Sequence, residues 1–199
     1  MTDAGRYLAF RLAAVAAGYP EIDIAPNLNA IMSRPEFEPS AAGPDLVRAF
    51  AKFRAECTAN PSALDDLRSD YVSLFDLGAE RLSLCETDYG TRGTASKARE
   101  LADISGFYRA FGLAPSSEPT GAESPDHLAV ELEFYAFLLL KELYAAEKGD
   151  EDGRALVTDA RHNFLRDHLG RLGACIRRQQ ARVSHWLYGP LLDAAAELV

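Results

Sequence analysis

Apolar positions recur along this chain at intervals of three and four residues, and nowhere alternate long enough to make a strand. Tyr7, Leu8, Leu12 and Val15 form a helical stripe closed by Gly18-Tyr19-Pro20. A second helix is predicted over about Ala25 to Ser33, and the segment Arg34 to Pro44, with three prolines, reads as a loop. Leu46, Phe50 and Phe53 resume the helical spacing as far as Asn60-Pro61. A helix from near Ser62 then sets Leu64, Leu67, Tyr71, Leu74 and Phe75 on one face and stops at Gly78. Leu82 to Gly93 reads as an ordered loop. Next comes a helix from about Ser96 to Phe111 that turns Leu101, Ile104, Phe107, Tyr108 and Phe111 inward. After a Pro-, Ser- and Gly-rich loop from Gly112 to Pro125, two long helices are predicted over about Asp126 to Lys148 and Arg154 to Tyr188. Gly149 to Gly153 forms the turn between them, and Gly189-Pro190 breaks the second before a short tail helix. The expected fold class is all-α.

With 199 residues the chain is expected to make one domain, 1–199, large enough to bury a core without disulfides or metals. A formal net charge of -9 argues against a general nucleic-acid binder, which needs a basic footprint, and suits cationic partners. Cys57, Cys85 and Cys175 are odd in number and show no metal-ligand spacing, so they read as reduced thiols in a cytoplasm. The short apolar run Leu12 to Ala17 follows Asp3, Arg6 and Arg11 and continues an amphipathic pattern, so it reads as a first helix and not as a signal peptide. No uncharged apolar run approaches the ~20 residues of a membrane-spanning helix. From Pro115 to Asp152 ten acidic residues face two lysines, whereas seven arginines lie between Gly153 and Tyr188. These halves either pair with each other or leave an acidic surface open to a cationic peptide.

Chemistry concentrates between Glu123 and Tyr135. Pro125 and Asp126 give a helix-start signal in which the Asp126 carboxylate caps the first turn. Asp126, His127, Val130, Glu131 and Phe134 then fall on neighbouring turns, with His127 and Glu131 spaced i,i+4. The cluster Glu123, Asp126, His127 and Glu131 has three readings: a capped helix with a surface imidazole, a metal site, or a patch whose carboxylates accept hydrogen bonds from guanidinium groups. Further metal ligands at helical spacing are missing, as is the Glu-x-x-His repeat of a di-iron bundle. Tyr71, Leu74 and Phe75 read as ordinary core or as one wall of such a patch. The loop Leu84 to Gly90 brings Cys85, Glu86, Asp88 and Tyr89 together. Cys85 lacks a neighbouring His or Lys to lower its pKa, which argues against a catalytic thiol. The loop suits the lining of a groove for an arginine-bearing ligand. Gly90 to Thr94 lacks the lysine of a phosphate-binding loop, and Arg177-Arg178 lies too deep in the chain to be an export signal.

Four segments taken in order resemble a known family. They are Tyr-x-x-Leu-Phe (Tyr71 to Phe75), Glu-Thr-Asp-Tyr (Glu86 to Tyr89), the run Glu100 to Leu113, and Pro-Asp-His-Leu followed by Glu-Leu-Glu-Phe (Pro125 to Phe134). Together they resemble the cytoplasmic chaperones of molybdenum enzymes, the TorD/DmsD/NarJ group. They are similar in particular to the delta subunits that accompany dimethylsulfide, ethylbenzene, selenate or chlorate oxidoreductases. The likeness covers about Ala63 to Leu172. It implies an all-helical bundle of the TorD/DmsD-like type, no enzymatic activity, no cofactor of its own and a cytoplasmic location. The implied partner is the apo catalytic subunit of a molybdopterin-containing oxidoreductase, held often by its twin-arginine signal peptide while cofactor is inserted and export delayed. Neither nucleic acid nor stable membrane insertion is expected, and the protein would be a monomer or dimer. By the same resemblance the signal-peptide site falls on Asp126 and His127, with Tyr71 and Phe75 as an aromatic wall and Glu123, Glu131, Glu86 and Tyr89 beside them. The peptide's apolar part is expected over Tyr71, Phe75 and Phe134, and Asp126→Ala or His127→Ala is expected to weaken binding without changing helix content.

Two features depart from the family. The only tryptophan is Trp186, and Gly170-Arg171-Leu172 replaces an aromatic continuation after Phe164 to Leu169. A chaperone for a non-leader segment of a catalytic subunit, as in the NarJ type, is the alternative within the class. A helical ligand-binding regulator or enzyme is the alternative outside it.

Overall fold

The computed structural model describes residues 2–77, 81–90, 93–113 and 123–199. Among them the chain forms nine α-helices: α1 (Asp3–Ala17), α2 (Ile24–Met32), α3 (Pro44–Ala59), α4 (Ala63–Tyr71), α5 (Thr94–Ala110), α6 (Leu128–Lys148), α7 (Glu151–Phe164), α8 (Gly170–Gln179) and α9 (Tyr188–Leu198). An isolated antiparallel bridge between Cys85 and His127 is the one β-type pairing among the described residues. The all-α expectation holds.

The centre of the bundle is α1 against α6. Ala9, Ala13, Ala14, Ala16 and Ala17 are buried, and their small side chains let α6 and α9 approach the α1 backbone closely. The Thr2 hydroxyl opens α1 by accepting the Gly5 N–H at 3.0 Å. Opposite it, α6 buries Leu128, Leu132, Phe134, Tyr135, Leu138 and Leu139. Gly149, at φ 68°, takes the left-handed turn after α6, and Asp150 at once caps α7 through the Gly153 N–H. The predicted turn between the two long helices is therefore present.

One hydroxyl joins three of these helices. Tyr135 Oη accepts from Arg6 Nη2 at 3.0 Å and from Arg161 Nη1 at 2.9 Å. Arg161 Nε also donates to Glu142 at 2.9 Å, whose other oxygen accepts from Thr158 at 2.8 Å. Part of the arginine-rich segment thus pairs with the acidic one, across the α6–α7 hairpin.

The expected helix from Arg154 to Tyr188 is not continuous. After α7 comes a π-helical turn, Leu165–Leu169, then α8, then a tight turn over Gln180–Arg182. Beyond Ile176 the chain offers Arg177-Arg178-Gln179-Gln180-Ala181-Arg182, with no apolar stripe to hold a helix against the core. Val183 and Leu187 re-enter the core outside any helix. Gly189-Pro190 does not break a helix either: both residues lie in the first turn of α9, where a missing N–H costs nothing. A second π-helical turn, Val72–Asp76, carries the Tyr71 to Phe75 face, and the helix ends there, before the expected stop at Gly78, which lies outside the described residues.

Gly170 closes the π turn after α7. A Cβ there would sit 2.5 Å from the Leu165 carbonyl oxygen, a backbone atom that cannot swing aside. Gly170→Ala is expected to destabilise the fold by about 2 kcal/mol, a typical overpacking cost, measurable as a lower urea midpoint with unchanged slope.

Candidate functional site

The Glu86 to Tyr89 loop and the Asp126-His127 segment meet, as the family resemblance implied. Glu86 N–H donates to the Asp126 carbonyl at 2.9 Å and Leu128 N–H to the Leu84 carbonyl at 2.8 Å, which pins the loop against the start of α6. Asp126 is not the helix cap expected from the sequence. Its carboxylate is buried and turns to the loop, where it accepts Thr87 N–H at 3.1 Å, Thr87 Oγ1–H at 2.5 Å and the Ser124 hydroxyl.

His127 is the cap. Its Nδ1 accepts the Ala129 N–H at 3.2 Å, so in the neutral ring the proton sits on Nε2. That Nε2–H faces the Tyr71 hydroxyl at 3.2 Å, and Tyr71 in turn lies 3.3 Å from the Ala17 carbonyl. Burial lowers the His127 pKa, while Glu123, Asp126 and Asp76 pull the other way. Tyr71 and Phe75 pack edge-on to each other and to Tyr188, inside the core. They form no open wall.

Glu86 and Glu131 are also interior, at 3% and 0% exposure. Glu86 Oε2 is 3.1 Å from His168 Nδ1, and Glu86 Oε1 is 3.4 Å from Arg171 Nη1. The π turn aims His168 at this carboxylate, between the rings of Phe107 and Phe164. Neither oxygen of Glu131 has a hydrogen-bond partner, and burial followed by the Glu86 and Asp126 charges drives its pKa well above the ordinary carboxyl value. Tyr89 is half-buried and donates to the Ser83 carbonyl at 2.6 Å. The Cys85 thiol is pushed up to about 12 by burial and then by Asp126 and Asp88, which leaves it protonated and unreactive. Among the described residues no group of three or more His, Cys, Asp or Glu side chains could hold a metal ion.

Of the eight residues singled out from the sequence, Glu123 alone lines an open surface groove, of about 840 Å³ between α1 and α6. Its apolar floor is built from Ala14, Val15, Ala129, Val130, Phe134 and Phe137 and extends to the half-exposed Leu140. Glu123 stands at one end, where its Oε1 accepts the Tyr19 N–H at 3.1 Å and its Oε2 lies 3.7 Å from His127 Nε2. Glu21 lines the same end, and Arg11 pairs with Glu133 midway. The α1 wall was missed in the sequence. Tyr7 and Val15, the two half-exposed members of the stripe that opened the pattern, both line the groove, with Val15 at the Gly18 end.

Residues 41–172 match the family model described as "Nitrate reductase delta subunit". The selenate reductase assembly chaperone protein of Thauera selenatis is 31% identical over 67% of this chain and 68% of its own. The chlorate reductase assembly chaperone protein of Ideonella dechloratans is 28% identical over the same shares. The dimethyl sulfide dehydrogenase assembly chaperone protein of Rhodovulum sulfidophilum is 32% identical over 60% of this chain and 51% of its own. No solved structure matches. The residues matched include both segments that meet at the start of α6, and no helix of the described residues is long and apolar enough to cross a membrane. The chain therefore belongs to the nitrate reductase delta subunit family, the TorD/DmsD-type assembly chaperones of molybdoenzyme maturation.

Proposed function

We propose that this chaperone acts in the cytoplasm and holds the apo catalytic subunit of a molybdopterin oxidoreductase by its twin-arginine signal peptide until cofactor insertion is complete. The observation that carries the reading is the α1–α6 groove, with an apolar floor that ends at the partly exposed carboxylate of Glu123. An apolar leader segment loses water against that floor, and buried area supplies most of the affinity at ~25 cal/mol per Å² before ordering costs. A guanidinium group at the rim gives Glu123 a charge-assisted hydrogen bond.

The remaining candidate residues support the rim from beneath. His127 and Tyr71 lie directly under Glu123, Asp126 and Glu86 lock the loop to the start of α6, Phe75 and Glu131 belong to the surrounding core, and the half-buried Tyr89 packs against it. In this reading they are positioning residues whose side chains do not touch the peptide.

Titration of the protein with a synthetic peptide of two arginines followed by an apolar run tests the assignment. Glu123→Gln should weaken binding about fivefold, as expected for one partly exposed ion pair. Replacing the peptide's arginines with norleucines should remove that difference between wild type and variant. Equal affinity of Glu123→Gln and wild type for the arginine peptide would remove Glu123 from the site. A pull-down of the catalytic subunit lacking its leader separates this reading from a non-leader docking segment.

A further inference from the structure

The groove is electrostatically uneven along its length. At the Gly18 end stand Glu21 and Glu123, and the structure shows neither of them paired to a lysine or arginine among the described residues. Glu123 is fixed there by the Tyr19 N–H, its side chain 30% exposed, with the imidazole of His127 3.7 Å from its second oxygen. Midway, Glu133 is taken up by Arg11. At the far end Lys141 lies over the ring of Phe137, 5.5 Å from its centroid, next to the exposed Leu140. The unpaired carboxylates of the groove thus stand at its Ala129 end, Arg11 and Glu133 offset each other midway, and Lys141 flanks the Leu140 end from outside the lining.

We infer that a bound twin-arginine leader lies in this groove in one direction only, with its arginine pair at Glu21 and Glu123 and its apolar run directed toward Tyr7 and Leu140. This rests on the reading above that the groove takes a leader. The reverse direction places two guanidinium groups beside Arg11 and Lys141 and sets apolar side chains against Glu21 and Glu123, so like charges meet at one end and carboxylates lose water unpaired at the other. The floor from Ala129 to Leu140 is roughly 17 Å long at 1.5 Å per helical residue. It accommodates about eleven residues of a helical segment, or about five of an extended one. An arginine pair at the Glu123 end therefore sets the register of everything that follows it.

The test uses the full chain and two synthetic peptides, each with two arginines followed by an apolar run of about eleven residues. One carries a benzoylphenylalanine immediately after the arginines, the other at the last apolar position. After irradiation the cross-linked residues are mapped by mass spectrometry. The first peptide should join to Tyr19, Glu21 or Ser124, and the second to Tyr7, Phe137 or Leu140, each with about tenfold preference over the opposite end, the discrimination given by ~1.4 kcal/mol. An exchanged pattern, or equal yields at both ends, overturns the single direction while leaving the leader in the groove. Calorimetric binding without any groove cross-link, or no binding at all, overturns the leader-in-groove reading and the direction with it.

Discussion

Asp126→Ala should lower the stability of the protein by about 3 kcal/mol. Its buried carboxylate accepts two hydrogen bonds from Thr87 and one from Ser124. Removing it leaves the buried Thr87 N–H without its acceptor, and hydrogen bonds to a charged group contribute about 1.5–3 kcal/mol each before the cost of an unsatisfied donor is added. The Ala variant also loosens the attachment of the 82–88 loop to the start of α6, so the loss falls on the part of the fold that carries Glu123. For a chain of this length the melting temperature should fall by roughly 6–12 °C. A thermal scan of Asp126→Ala beside Asp126→Asn, which keeps an acceptor oxygen, measures it. If both variants melt with the wild type, the carboxylate has no part in holding the loop. From the sequence Asp126→Ala is expected to weaken peptide binding without changing helix content, and the burial of its carboxylate adds this loss of stability to that expectation.

Glu131→Met should do the opposite. Glu131 is fully buried with both oxygens unpartnered, and its proton is held far more tightly in the folded chain than in the unfolded one. A buried polar group without partners costs about 1–3 kcal/mol, so an apolar side chain of similar length should stabilise the protein by that amount at pH 7. The sign of the pH dependence follows from the raised pKa. The unfolded chain releases this proton near 4.5 and the folded chain does not, so the wild type loses stability as the pH rises above about 4.5, and Met removes that slope. Urea unfolding of both proteins at pH 4.5 and pH 7 should show a stability gap that widens toward pH 7. A gap of equal size at both values would mean that Glu131 titrates normally in the folded state.

Much of the helix content was legible because it rests on local rules. The Tyr7 to Val15 stripe gave α1, Gly149 gave the turn after α6, and Leu46, Phe50 and Phe53 gave α3. The meeting of the 86–89 loop with the start of α6 was also anticipated, from the likeness of motifs. What sequence periodicity could not show was the pair of π-helical turns. One extra residue per turn leaves the apolar spacing nearly intact, yet it rotates His168 toward Glu86 and seats Phe75 beside Tyr188. Nor could it tell whether a polar cluster faces outward. Asp126, His127, Glu86 and Glu131 read as a surface patch because charged residues are rarely fully buried, whereas the chain folds all four inward. Nothing in the sequence set Glu123 apart as the member of the polar patch that lines the groove, because the groove needs α1, which is far away in sequence.

The Tyr135 joint has a consequence for the energetics of any occupant. Arg6 and Arg161 both bind that hydroxyl, and Arg11 binds Glu133, so the two sides of the groove are tied together above and below its floor. Such a cleft is a rigid template. The entropy lost on docking then falls on the incoming segment, and clients sharing the same charged and apolar residues would be ranked by how much order each already carries before it arrives.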